Sequence, residues 1–354
     1  MGESVTQRLA VVLFNLGGPD SPDAVRPFLR NLFSDPAIIR IPQPFRWLLA
    51  RLISRRRAPT AQAVYARIGG RSPLLENTRA QAAALAAALK TAMPDTENRV
   101  VVAMRYWHPF AAEAAAELKR FQPERIVLLP LYPQYSTTTS ASSLTDWAAA
   151  ASAAGLKAAT RTACCYPTEP GFVAAAATEI RKTLSAAPAG MPVRILFSAH
   201  GLPQKIVDAG DPYQWQVERS AAAIAEALAL PALDSVVCYQ SRVGPLKWIG
   251  PATEDEIRRA GAEGRAVVLF PIAFVSEHSE TLVELDIEYR ELAEHAGVPW
   301  FGRARTVSLA PEFIDALARI VVATSGSARS VQCAGGQRFC PAGPWACAMA
   351  DTTA

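Results

Sequence analysis

The 354-residue sequence predicts an α/β fold: two doubly wound halves, each a parallel sheet covered by helices, facing one another across a cleft. Three observations predict it. Near-continuous apolar runs recur along the chain, and alanine-rich stretches of helical length separate them. Side chains able to do chemistry gather where the apolar runs end.

The runs at 9–16, 100–107 and 126–132 read as strands of the first half, and those at 193–200, 235–239 and 266–275 as strands of the second. None alternates polar with apolar, as expected of strands buried on both faces. The stretches at 80–92 and 110–121 read as the intervening helices. A break at 155–160 splits the strands three and three, which predicts an N-terminal lobe over 1–155 and a C-terminal lobe over 156–323. From 324 to 354 the chain is rich in Gly, Ser, Ala and Pro and reads as a cysteine-containing tail.

Composition narrows the function classes. Half the residues are hydrophobic, and the formal charge of +4 is too small and dispersed for a nucleic-acid binder. The first apolar strand begins by Leu9, which leaves no room for a leader peptide. No apolar run approaches the ~20 residues that span a bilayer. A cytoplasmic protein is expected, with six cysteines that build no disulfide framework. The Gly17-Gly18-Pro19 turn fits neither nucleotide-binding glycine pattern, so no nucleotide cofactor is expected.

In doubly wound sheets, ligands bind beyond the carboxyl ends of the strands. Arg105, Tyr106 and Tyr132 fall there in the first half; Ser198, His200, Gln240, Ser241 and the 276–280 segment fall there in the second. His200, followed by Gly201 and Pro203, sits on a turn that mounts an imidazole rigidly. With an ordinary pKa of about 6.5 it can take a proton near neutrality; a half-buried structural histidine is the plainer alternative. Glu280, Glu284 and Glu288 are spaced i, i+4, i+8, along one helical face. From 276 to 289 there are five acidic residues and no Lys or Arg, whereas a solvated face normally interleaves both signs. Such a row suits a visiting cation or protons. His278 either shares in ion capture or caps the helix. A neutral imidazole and this row together suggest exchange of a metal ion for protons.

Between 38 and 57, Phe45, Trp47, Leu48, Leu49, Leu52 and Ile53 are interspersed with Arg46, Arg51 and Arg55 to Arg57. Apolar and basic residues together suit a mouth for a large apolar substrate, contact with anionic lipid, or an ordinary amphipathic surface helix.

These segments resemble the ferrochelatase family. The likeness runs from about Val11 to Ala323. It includes Asn15-Leu16-Gly17-Gly18-Pro19, Arg67-Ile68-Gly69-Gly70-Arg71-Ser72-Pro73-Leu74, Arg105-Tyr106-Trp107-His108-Pro109 and Leu131-Tyr132-Pro133-Gln134-Tyr135-Ser136. In the second half it includes Ser198-Ala199-His200-Gly201-Leu202-Pro203, Gln240-Ser241-Arg242-Val243-Gly244-Pro245 and Asp286-Ile287-Glu288-Tyr289. The resemblance implies two Rossmann-like lobes and a lyase that inserts Fe(II) into protoporphyrin IX, releasing two protons and forming protohaem, the terminal step of haem biosynthesis. It places the catalytic histidine on His200 and its glutamate partner on Glu280, both as metal-contacting groups. It places a π-helix with a proton or metal path on Glu284 and Glu288, with His278 nearby. Arg105, Tyr106, Tyr132 and Trp248 match porphyrin-lining positions, and 38–75 matches a porphyrin lip through which the enzyme touches the membrane's inner face.

Some members of the family also carry a [2Fe–2S] cluster on three C-terminal cysteines and one internal one. Here the candidates are Cys333, Cys340 and Cys347, with Cys164 or Cys165 as the fourth. The six-residue gaps between the tail cysteines differ from the family's tighter spacing and leave the ligand set open. Cys238, inside a strand, reads as a core thiol. Three alternatives stand beside this reading. They are a chelatase for coproporphyrin or another tetrapyrrole, a non-catalytic porphyrin or haem carrier, and a cluster-based redox sensor working through the tail.

Overall fold

A computed structural model of the chain describes residues 7–242, 244–343 and 345–349. The chain forms two compact units. One runs to Tyr166 and resumes at Ile314–Phe339 and again from Ala348; the other comprises Pro167–Phe313 and Cys340–Cys347.

The first unit contains β1 (Gln7–Asn15), α1 (Val25–Ser34), α2 (Phe45–Ala66), α3 (Leu74–Ala92), β2 (Thr96–Met104), α4 (Ala111–Phe121), β3 (Arg125–Pro130), α5 (Ser140–Ala154) and β4 (Ala159–Ala163). The second contains α6 (Pro170–Leu184), β5 (Val193–His200), α7 (Gln204–Asp208), α8 (Tyr213–Leu228), β6 (Asp234–Gln240), α9 (Thr253–Ala262), β7 (Ala266–Pro271), a π-helix (Glu280–Glu288), α10 (Tyr289–His295) and β8 (Phe301–Arg303). Helix α11 (Pro311–Ser325) and β9 (Val331–Gln332) follow, the latter in the first unit.

Both sheets are parallel, in the orders β2-β1-β3-β4-β9 and β6-β5-β7-β8. Each order reverses beside its first strand, at β1/β3 and β5/β7, and these are the switch points where doubly wound folds bind ligands. Central β1 is buried from Leu9 onward and β7 along its whole length, which is why both read as continuous apolar runs. In the first unit Val12, Phe14 and Val101 pack against Ala115 and Leu118 of α4 and Trp147 of α5. In the second, Leu196, Val267 and Leu269 pack against Ile257, Leu285 and Tyr289. Helix ends follow local chemistry. Glu113 accepts the Phe110 N–H at the start of α4, and Gly155 closes α5 at φ +66°.

The expected alternation is present, with three short strands added: β4, β8 and β9, of five, three and two residues. The sheets therefore hold five and four strands rather than three each. The 155–160 stretch is not a boundary, because β4 begins within it and pairs in register with β3, Arg125 opposite Ala159. Nor is the whole tail separate, since Val331 and Gln332 pair with Thr162 and Ala163. Edge strand β2 starts earlier than expected, at Thr96; its exposed Glu97 and Arg99 hid it. Likewise β7 stops at Pro271, where the chain turns toward the π-helix.

Candidate active site

His200 is the last residue of central β5, and the segment after neighbouring β7 leads into the π-helix that starts with Glu280. The two side chains thus meet from the two strands of the switch point, with His200 Nδ1 2.8 Å from Glu280 Oε2. The His200 side chain keeps 41% of its surface exposed, so the ring is accessible as well as fixed. Gly201 makes room at its base. A β-carbon there would lie 3.0 Å from the Gln240 carbonyl oxygen and 3.3 Å from Cε3 of Trp248, so the indole packs directly on the turn after His200. The turn is tied further by Gly201 N–H to Gln240 O and Ile249 N–H to Leu202 O.

Ser241, one residue past β6, joins the pair to Glu284. Its N–H donates to Glu284 Oε1 at 2.8 Å, and its hydroxyl lies 2.5 Å from Glu284 Oε2 and 3.3 Å from Glu280 Oε2. Tyr289 donates its hydroxyl to Glu284 Oε1 at 3.1 Å. Ser241 stands in the strand-end Gln240-Ser241-Arg242-Val243-Gly244-Pro245 segment, while its link to the two carboxylates is visible only in the fold.

The electrostatics follow from this packing. Burial works against charge on His200, but the Glu280 carboxylate, with Glu284 behind it, outweighs burial and raises the imidazole above its ordinary pKa. Burial raises Glu280, yet His200 reverses the balance and holds Glu280 below the usual carboxylate range. Glu284 moves the other way, raised by burial and by the charge on Glu280. Two neighbouring carboxyls pushed apart in this way supply a proton donor and a proton acceptor in one site.

The remaining acidic residues divide. Arg303 of β8 donates to Glu277 at 2.7 Å and to Asp286 at 3.2 Å, and Arg290 reaches Asp286 at 2.8 Å. Basic partners are therefore present, supplied from α10 and β8 beyond the acidic stretch, and the row is less unbalanced than its sequence suggests. Glu288 is exposed at the far end of the π-helix. The row is wound as a π-helix, so the simple i, i+4, i+8 face gives way to a wider turn. His278 is buried, and burial lowers its pKa below the ordinary value. Its backbone N–H donates to Thr281 Oγ1, and Thr281 N–H donates to its Nδ1 at 3.4 Å, just before and within the first turn of the π-helix.

In the first unit, Arg105 and Tyr106 follow β2 and converge on Asp35, Arg105 at 3.0 Å and the Tyr106 hydroxyl at 2.7 Å. Tyr132 follows β3 and is half-buried, its hydroxyl held protonated by burial. The start of α2 carries an exposed apolar face: Phe45 is 65% exposed, and Trp47, Leu48 and Leu52 lie open beside it. Arg51 stacks over Trp47, 5.4 Å from the ring centre, and Arg55 to Arg57 are exposed on the next turn.

Pairing of β4 with β9 brings Cys333 beside Cys164 and Cys165. Cys164 N–H donates to Gln332 O and Ala334 N–H to Cys165 O. The Cys333 sulfur lies 3.7 Å from that of Cys164 and 3.5 Å from that of Cys165, all three buried and none in a disulfide. Thiol hydrogens of its two neighbours, then the Phe339 N–H and Arg338, favour a thiolate at Cys333. Cys340 and Cys347 are buried as well, and Gln216 donates to the Cys340 sulfur at 3.2 Å. Cys238 is a buried core thiol, its pKa pushed up to about 12 by burial.

The chain is similar to known proteins over most of its length. The family model described as ferrochelatase matches residues 8–325. A ferrochelatase of Phenylobacterium zucineum is 56% identical over 97% of this chain and 96% of its own length. One from Caulobacter vibrioides is 57% identical over 92% of each chain. Among solved structures, SirB from Bacillus subtilis, determined with Fe3+, superposes with a TM-score of 0.52 at 13% identity, over 90% of this chain and 96% of that one, a likeness of fold. The chain belongs to the ferrochelatase family.

Proposed function

We propose that the protein inserts ferrous iron into protoporphyrin IX, forming protohaem and releasing the two pyrrole protons. The observation that carries this reading is the His200–Glu280 pair at the β5/β7 switch point, with Glu284 linked behind it through Ser241. Nδ1 of His200 is held by Glu280, which leaves Nε2 as the ring atom that meets a pyrrole N–H. Glu280 stabilises the imidazolium that forms, and the proton leaves by way of the second carboxyl, Glu284. Iron, as substrate, exchanges water for His200 and Glu280 in passing; two weak ligands release an ion that a closed four-ligand site would trap. Trp248, beside Gly201, offers a ring face to the macrocycle, and Tyr132 is a second proposed contact. Tyr106 is 1% exposed with its hydroxyl on Asp35, so it supports the strand end from the core rather than touching the macrocycle, and Arg105 likewise braces. Puckering the macrocycle toward the metal takes strain of roughly 1–5 kcal/mol, supplied by binding energy remote from the nitrogens.

The test is anaerobic incubation with protoporphyrin IX and Fe(II), followed by the porphyrin absorption change, with coproporphyrin in a parallel arm. His200→Ala is expected to keep porphyrin binding and lose turnover by about 10²–10⁴-fold, the range of general-base catalysis. Insertion at the unmodified rate would remove His200 as the base, and faster insertion into coproporphyrin would change the substrate.

A [2Fe–2S] cluster is the second part of the reading. Cys333 with either Cys164 or Cys165 fits part of one, in that the three buried sulfurs lie within 4.8 Å of one another. Four thiolates are the usual complement of such a cluster. When bound, such a cluster supplies a one-electron couple and a covalent tie between β4 and the tail.

The exposed apolar and basic start of α2 is the proposed contact with an anionic membrane surface as well as the porphyrin lip. Among the described residues no helix is long and apolar enough to cross a membrane, so the contact proposed is peripheral. Flotation with anionic vesicles tests it; equal recovery with neutral and anionic vesicles would count against it.

A further inference from the structure

Asp35 is a buried carboxylate that takes hydrogen bonds from four directions. Its Oδ2 faces Arg105 Nη2 at 3.0 Å and the Tyr106 hydroxyl at 2.7 Å, and the Ser142 hydroxyl of α5 donates to the same oxygen. Its Oδ1 accepts the Ala37 N–H at 2.8 Å, and its carbonyl accepts the N–H groups of Ile38 and Ile39. Asp35 also closes α1, donating its own N–H to Leu32 O. The residue thus ends one helix, begins the 36–44 segment, and fastens that segment to the strand-end residues after β2.

Immediately beyond this segment lies the exposed face of Phe45, Trp47 and Leu48. Arg46 folds back to donate to Ile41 O at 2.9 Å, so the start of α2 is tied to the segment that Asp35 holds. The Arg105 guanidinium is spoken for. Nε donates to Ser142 Oγ at 2.7 Å, Nη2 meets Asp35, and Nη1 lies 3.7 Å from Asp146. A fork hydrogen-bonded through two nitrogens, with a longer-range ion pair at the third, acts as a brace for the surrounding chain.

We infer that Asp35 is a positioning residue for porphyrin binding: through Arg105 and Tyr106 it fixes the 36–44 segment and the apolar, basic start of α2 against the strand ends of the first unit. The porphyrin part rests on the reading that this end of α2 receives the macrocycle; the anchoring part does not. A carboxylate is needed because three donors converge on one oxygen. An amide of the same shape keeps one acceptor oxygen and sets N–H against donors, leaving the Arg105 charge without its closest partner.

The experiment compares Asp35→Asn and Asp35→Glu with the unmodified full-length chain in two readouts. Limited trypsinolysis is expected to cut Asp35→Asn after Arg46 and Arg51 about tenfold faster, with cleavage at Lys119 and Arg120 of α4 unchanged. Steady-state metallation is expected to show a porphyrin KM raised about tenfold, with kcat and the iron KM within twofold; Asp35→Glu restores most of both. Faster cutting everywhere would mean general destabilisation and overturn the inference, as would unmodified proteolysis and KM. Faster cutting confined to α2 with an unmodified KM would uphold the anchor and overturn its role in porphyrin binding. If the unmodified protein inserts no metal, the functional reading fails while the proteolysis still judges the anchor. Should Asp35→Asn not fold, Tyr106→Phe removes a single donor and is expected to move both readouts the same way by about threefold; no movement would overturn the proposal.

Discussion

Nδ1 of His200 stands 2.8 Å from Oε2 of Glu280, a contact that joins the end of β5 to the first residue of the π-helix across 80 positions of sequence. The pair sets the pH at which the site can work. A base must be neutral to accept a proton, and Glu280 raises the pKa of His200 above the ordinary value of about 6.5. Turnover is therefore expected to rise with pH through this raised value. In Glu280→Gln the nearer carboxylate is gone while burial and Glu284 remain, so the His200 titration should move down toward the ordinary value. Imidazole NMR of the free protein reads this without substrate, and an unmoved His200 resonance would sink the account. The folding linkage has the matching sign: the stability His200 draws from the pair is complete below its unfolded pKa and is lost as pH rises through the folded one.

Gly201 is required by the approach of three groups. An alanine methyl there meets the Gln240 carbonyl oxygen at 3.0 Å, Arg242 Cγ at 3.1 Å and Trp248 Cε3 at 3.3 Å. The backbone atom cannot yield without pulling β6 from β5, so the turn carrying His200 must tilt. Gly201→Ala is expected to lower kcat by about tenfold to a hundredfold, the scale of a small misplacement of a reacting group. Single-turnover metallation measures it, and a rate within twofold of the unmodified protein would show that the turn can absorb the methyl.

Much of this site was legible before the fold was. The apolar run ending at His200 is a central-strand pattern, and a histidine at such an end is placed by topology alone. What stayed hidden depends on partners distant in sequence. Glu277 and Asp286 read as unneutralised because Arg303 lies past the end of the acidic stretch, and only β8 returning beside β7 brings it back. Ser241 bridges two carboxylates that a linear pattern assigns to another element. The two residues of β9 carry no periodicity at all, yet their pairing with β4 is what delivers Cys333 to Cys164 and Cys165.

That delivery makes a discriminating experiment of the cysteines. If the internal and tail thiols hold a [2Fe–2S] cluster, Cys333→Ser should lose iron and acid-labile sulfide together, along with the visible charge-transfer bands. Cys164→Ser and Cys165→Ser should differ, one retaining the cluster and the other losing it, because a four-thiolate set that includes the tail takes a single internal ligand. Anaerobic purification followed by iron and sulfide analysis decides the matter. Equal, background-level iron in the unmodified protein and all variants would leave these residues as a packed thiol cluster.

The Glu277–Arg303 pair makes the last prediction, on stability rather than turnover. Arg303 is 6% exposed and Glu277 19%, so neither charge is solvated well enough to stand alone. Burial raises Glu277, but Arg303, helped by the Thr306 N–H at 3.0 Å, overcomes it and holds the carboxyl below the usual range. A carboxyl lowered by folding contributes stability above its unfolded pKa and loses it as pH falls through the folded value. Glu277→Gln strands a buried guanidinium and is expected to cost on the order of 3 kcal/mol, the low end for a broken buried pair because Asp286 still reaches Arg303 at 3.2 Å. Urea denaturation at neutral pH and again at acid pH measures both effects: the difference between variant and unmodified protein should shrink as Glu277 protonates. A difference that stayed constant across that range would place the loss in packing rather than in charge.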